Sequence, residues 1–194
     1  MTTEKYFYLF LIAVLLFITG LLYKNDGNFT PQPYRISTVD LSGGDYFRFV
    51  FIGSSDCRFP NNDQVHEMVN YLKKNLEEVA ESNSMNFILT GISVDSHSQL
   101  GLNYLNLTYP YDEIIVGLSI YSLGSVYYSS GAPTTPQILI LYENYNSELV
   151  GVNINHLQNS QQVIKSFSGV PEIKQFYDIV QSSNKESIIQ YLNL

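Results

Sequence analysis

FRFVFIGSSDCRFP, Phe47–Pro60, joins an apolar run to a turn and then to a cysteine. Phe47, Phe49, Val50, Phe51 and Ile52 form the kind of run that a parallel sheet buries on both faces. Gly53–Ser54–Ser55–Asp56 is a turn. Cys57 follows it, and it is the single cysteine of the 194 residues. A helix-patterned stretch begins at once, Asn61 through Glu81, with Val65, Met68, Val69, Leu72, Leu76 and Val79 at helical spacing. A thiol at a strand-to-helix turn lies near helix N-terminal amides, which favour the thiolate. Arg58 adds weakly to that preference, and the carboxylate of Asp56 opposes it.

Outward from this centre the pattern continues as alternating strands and helices. Tyr34–Leu41 reads as an edge strand and Met85–Val94 as a second buried strand. Ser98–Leu107 is a short helix and Tyr111–Leu118 a third core strand. Ser119–Tyr128 suits either a short helix or a strand. Gly131–Pro136 is a loop, Gln137–Tyr142 a strand, Glu143–Ser147 a polar turn, and Glu148–Ile154 the hairpin partner. Pro171–Gln181 and Lys185–Leu194 are amphipathic helices. This order predicts an α/β three-layer sandwich with a mixed sheet, parallel at first and closed by an antiparallel hairpin.

Tyr6–Tyr23, YFYLFLIAVLLFITGLLY, carries no charge and is about long enough to cross a ~30 Å hydrocarbon core. Gly20–Leu21–Leu22–Tyr23 is a poor signal-peptide cleavage site, so one uncleaved transmembrane helix is expected. The organisation is then a membrane anchor over 1–24, a polar linker over 25–33 and one domain over 34–194. A short leader before the span places the domain outside the cytoplasm.

Net charge is −8 with 10 Lys and Arg, and no basic cluster is present, so a nucleic-acid partner is not expected. His66, His97 and His156 are far apart and lack metal-ligand spacing. Each reads as a satisfied or exposed histidine, and neither a metal nor a cofactor is expected. Asp95 and His97 follow the strand Met85–Val94 at its carboxyl end, where α/β sheets place ligands. A helix N-cap by Asp95 or Ser96 is the plainer reading.

Two motifs resemble the thioredoxin-like superfamily over roughly residues 34–182: FRFVFIGSSDCRFP, and TTPQILIL, Thr134–Leu141. The second matches the loop where that family places a cis-proline before a central strand. The added strand YDEIIVG, Tyr111–Gly117, is similar to the redoxin branch, which includes peroxiredoxins and membrane-tethered thiol reductases. The resemblance implies a thioredoxin-like fold, Cys57 as nucleophile, and a cis bond at Thr135–Pro136. It further implies that the backbone of Thr135 pairs with an extended substrate, with Ser54 and Ser55 beside it. The chain departs from the family at the resolving position. Cys57–Arg58–Phe59–Pro60 has proline where Cys-x-x-Cys has its second thiol, so a dithiol cycle within one chain is impossible. Val50 stands where the peroxiredoxin motif has proline, and no arginine follows Arg58. Copper-chaperone relatives need a second cysteine, which is missing.

Two functions follow as expectations. One is monothiol chemistry on a disulfide or peroxide through Cys57, with an external protein or small thiol as partner. The other is an inactive binding module that holds an extracytoplasmic protein on the Cys57 and Pro136 face.

Overall fold

The computed structural model describes residues 34–39, 43–56, 62–117, 135–145 and 161–193. Six strands form one sheet: β1 (Tyr34–Ser37), β2 (Gly44–Gly53), β3 (Asn86–Ser93), β4 (Glu113–Val116), β5 (Gln137–Tyr145) and β6 (Gln161–Ser168). Their order is β1-β4-β3-β2-β5-β6. Strands β2, β3 and β4 are parallel, whereas β1 and β5 run antiparallel to their neighbours, and β6 is antiparallel to β5. This is the thioredoxin-like arrangement, with β4 as the additional strand of the redoxin branch.

Helices α1 (Asn62–Ser82) and α2 (Ser98–Leu105) connect β2 to β3 and β3 to β4. Both connections step the same way across the sheet. Parallel crossovers are right-handed, so both helices must lie on the same face. Helices α3 (Gly169–Ser182) and α4 (Lys185–Leu192) join them there. All four pack on Phe47, Phe49, Phe51, Ile138, Ile140 and Phe167. Alternation along β2 sends Val50 and Ile52 to the opposite face, where Ile92, Val94, Ile115, Leu139 and Leu141 join them in a second buried cluster. Residues 1–33, expected to hold the anchor and linker, lie outside the described residues, as do 119–128 and 148–154.

The end of the sheet differs from the expectation in two places. Glu143–Tyr145 continues β5 and is not a turn. Glu143 and Tyr145 are buried side chains with partners, so their polarity serves the interior. The strand beside β5 is Gln161–Ser168, not Glu148–Ile154. As an edge strand it is mostly uncovered, and its sequence QQVIKSFS shows little apolar periodicity. The register shifts by one residue between the pairs Ile140–Lys165 and Leu141–Val163, a bulge that bends this edge.

A charged group is buried on each face. Arg48 of β2 reaches across three neighbouring strands. It donates to Thr90 Oγ1 at 2.7 Å, Glu113 Oε2 at 2.9 Å and Glu143 Oε1 at 2.8 Å. On the helical face Lys73 of α1 donates to the carbonyls of Thr108 and Pro110 and lies 4.0 Å from the centre of the Tyr111 ring. Burial pushes the Lys73 ammonium down to about 8, against the opposing pull of Asp112 and Glu77. The neutral amine keeps two N–H groups for the two carbonyls. Between about pH 8 and 10.5 the unfolded chain holds the proton that the folded chain has released, so stability rises with pH in that window. Lys73→Met should remove this rise, read as the difference in urea-unfolding free energy between wild type and variant from pH 8 to 10.

Candidate functional site

The carboxyl ends of β2 and β3 lie side by side, because parallel pairing matches Gly53 with Ser93. Val94 N donates to Gly53 O at 3.0 Å and extends the contact one residue past the strands. A turn leaving β2 at this point meets whatever follows β3. That neighbour is Asp95, buried at 2% exposure.

Asp95 ties the turn down. Its carboxylate accepts from Ser54 Oγ at 2.8 Å, Ser55 Oγ at 2.8 Å and Ser93 Oγ at 2.6 Å. It also accepts from the backbone N–H of Ser55 at 3.1 Å. Ser54 Oγ in turn accepts from Asp56 N at 3.2 Å. Burial by itself would raise the Asp95 carboxyl, but the bonds from Ser93, Ser54 and Ser55 outweigh it and hold the group below its ordinary value. Asp95 is thus a fixed anion beneath the turn. The N-cap position of α2 is taken by His97, with no side-chain cap bond, so neither Asp95 nor Ser96 caps that helix. The sequence already held the parts of this contact, since a carboxylate at the end of one parallel strand faces the turn at the end of the next.

Thr135 and Pro136 border the same edge. Antiparallel pairing of Ile52 with Gln137 sets Pro136 one residue beyond the pair, alongside the end of β2. The Thr135–Pro136 bond is cis, as the resemblance implies. Pro136 is buried and Thr135 half-buried. The carbonyl of Pro136 accepts from Gly169 N at 2.8 Å, which fixes this loop to the start of α3. The structure therefore brings Ser54, Ser55 and Pro136 to one edge of the sheet. Cys57 and Arg58 lie outside the described residues. Helix α1 begins five positions after Cys57, at Asn62.

Gly53 closes β2 under this turn, and it has no room for a side chain. A Cβ there would lie 2.6 Å from Tyr104 Oη. Tyr104 of α2 packs against Phe51, with ring centres 6.2 Å apart, so α2 lies tight against the end of β2. Among the described residues no group of three or more His, Cys, Asp or Glu side chains converges as a metal site.

No protein-family model matches the chain, and no curated protein matches it in sequence. Solved structures do match. StoA from Bacillus subtilis is 10% identical over 77% of this chain and 96% of its own, with a TM-score of 0.37. Copper-bound ScoI from Arabidopsis thaliana is 16% identical over 78% of this chain and 87% of its own, with a TM-score of 0.38. The exposed lipoprotein thioredoxin Etrx1 from Streptococcus pneumoniae is 12% identical over 84% of this chain and 98% of its own, with a TM-score of 0.37. These are likenesses of fold. The roles of Cys57, Thr135 and Pro136 rest on the residues of this chain.

Proposed function

We propose that this chain is a membrane-tethered, extracytoplasmic thioredoxin-like protein whose working group is the single thiol Cys57. The observation that supports this reading is the anchored turn. Four hydrogen bonds to Asp95 hold Ser54 and Ser55 rigid immediately before Cys57, beside the loop of Thr135 and Pro136. Such support is what a positioned nucleophile needs. The tether is residues 6–23, on the strength of their apolar, charge-free length.

In the proposed reaction the Cys57 thiolate attacks one sulfur of a partner disulfide. A mixed disulfide forms, and the other partner sulfur leaves as a thiolate. Pro60 occupies the place of a resolving thiol, so an external thiol must attack the mixed disulfide and release Cys57. The competing reading, a binding module without turnover, draws on the same Pro60. Alkylation of the full chain against pH separates the two. An activated thiol should react with half-maximal rate below the ~8.5 of a free cysteine. It should also trap a small disulfide as a mixed adduct, and Cys57→Ser should abolish both signals. A half-maximal pH at or above that of a free thiol, with no adduct, would leave the binding module as the better reading.

A further inference from the structure

The histidines were expected to be satisfied or exposed, and His66 is neither. It lies on the second turn of α1 with 7% of its surface exposed, and its Nε2 is buried with no hydrogen-bond partner. The ring meets Tyr104 of α2 edge-on, with centres 5.2 Å apart. A buried polar atom without a partner is costly and rare in native interiors. Here it sits in the contact between two helices, next to the ring that fits against Gly53.

We propose that His66 is an acid-sensitive latch. Its imidazole is stored neutral between α1 and α2, and a proton on it loosens their contact beneath the turn of Ser54–Asp56. The neutral ring tolerates an apolar pocket. The imidazolium has two N–H donors and a full charge, and no acceptor within reach of Nε2. Protonation therefore drives the ring toward water, and the path out lies along the Tyr104 contact. A shift of Tyr104 reaches Gly53 directly, because the two are fitted with no spare volume.

The groups around the latch set its direction. Burial lowers the affinity of His66 for a proton, and Asp63, an exposed carboxylate on the same helix, partly restores it. Tyr104 is the titratable group facing it from α2, and β2 contributes only Phe51 and Gly53 beside that ring. Because the folded chain holds His66 more weakly protonated than the unfolded chain, the latch is fully closed above about pH 6.5. Stability is lost as pH falls from there through the lowered folded value.

The test is equilibrium unfolding of the full chain from pH 7.5 to 5, with proton uptake taken from the pH slope. Wild type should take up about one proton more on unfolding than His66→Phe or His66→Gln near the lower end of this range. Asp63→Asn, on the surface, should move the loss to lower pH. Amide exchange, corrected for its intrinsic pH dependence, should show the first turns of α1 and all of α2 losing protection in wild type as pH falls, and keeping it in His66→Phe. Equal pH slopes in wild type and both His66 variants would overturn the proposal. So would a uniform loss of protection across the whole sheet, since that reports global unfolding and not a latch. If His66→Phe does not fold, His66→Gln and Asp63→Asn carry the same comparison.

Discussion

Arg48→Met should destabilise the folded chain by about 3–5 kcal/mol, the cost typical of removing one partner from a buried ion pair. The guanidinium is 4% exposed, and the two carboxylates that it holds, Glu113 and Glu143, are each 2% exposed. Methionine fills the volume but leaves both acids buried with their main counter-charge gone. Glu113 keeps Arg35, whose Nε lies 2.7 Å from Oε1, although Arg35 is 59% exposed and its pull is screened. Glu143 keeps only the hydroxyl of Tyr145 and the amide of Gln161, both neutral. Glu143 is therefore the more stranded acid, and Arg48→Met with Glu143→Leu should recover a large part of the loss. Thermal unfolding of the full chain measures it: for a protein of this size the single variant should lie roughly 6–20 °C below wild type. A fall of under ~2 °C would mean that water or Arg35 replaces the guanidinium. The same side chain touches β3, β4 and β5 at once, so the network also favours a single pairing of these strands.

That network explains why the sequence disclosed some elements and hid others. Phe47–Ile52 reads as a buried central strand because its apolar residues outnumber the one arginine, and Arg48 passes unnoticed. Its partners are more misleading. Glu143 stands in the polar string Glu143–Ser147, where nothing local separates a buried acid from a turn residue. Only the pairing of Tyr46 with Glu143 across β2 and β5 brings its carboxylate to the guanidinium. Strand β6 fails for the opposite reason. An edge strand needs little burial, so QQVIKSFS carries almost no apolar signal, and the bulge interrupts what alternation it has. Helix α1 is plain because five turns of apolar spacing add up. At the site, Cys57, Pro136 and the Ser54–Ser55 turn were legible as motif. Asp95 was noticed, but its role was not, because a hydrogen bond between residues 54 and 95 exists only once two strand ends are adjacent. His66 fits the helical spacing as any half-polar residue would, and whether its nitrogen finds a partner is a property of the packed core alone.

Asp95→Ala should be the most damaging change at the candidate site, at about 3 kcal/mol or more. Three donors lose a charged acceptor together: the hydroxyls of Ser54 and Ser93 and the backbone N–H of Ser55. Bonds to an ionised group contribute about 1.5–3 kcal/mol each, and the buried hydroxyl of Ser93 has little access to water in exchange. Ser55, which is exposed, can turn its own hydroxyl to solvent and softens the loss. Single changes of Ser54 or Ser55 to alanine remove one donor and leave the anion with the others, so each should cost near 1 kcal/mol. Asp95→Asn keeps the shape and one acceptor oxygen, but it turns an amide toward hydroxyls and should fall between these limits. The pH dependence has a fixed sign. The folded carboxyl is held below its ordinary value of 3.8, so its contribution is complete above that pH and is lost as pH falls through the folded value. Asp95→Ala should therefore be less acid-sensitive than wild type below pH 4, although less stable at neutrality. Amide exchange at Ser55 reads the turn itself. Its N–H bonds to Asp95 in wild type, and its protection should fall at least ~10-fold in Asp95→Ala, the equivalent of ~1.4 kcal/mol of local opening. If Ser55 stays protected while the whole domain loses stability, Asp95 is a core anchor without a special hold on the turn. If protection falls and the alkylation rate of Cys57 changes with it, the anion beneath the turn governs how the thiol is presented.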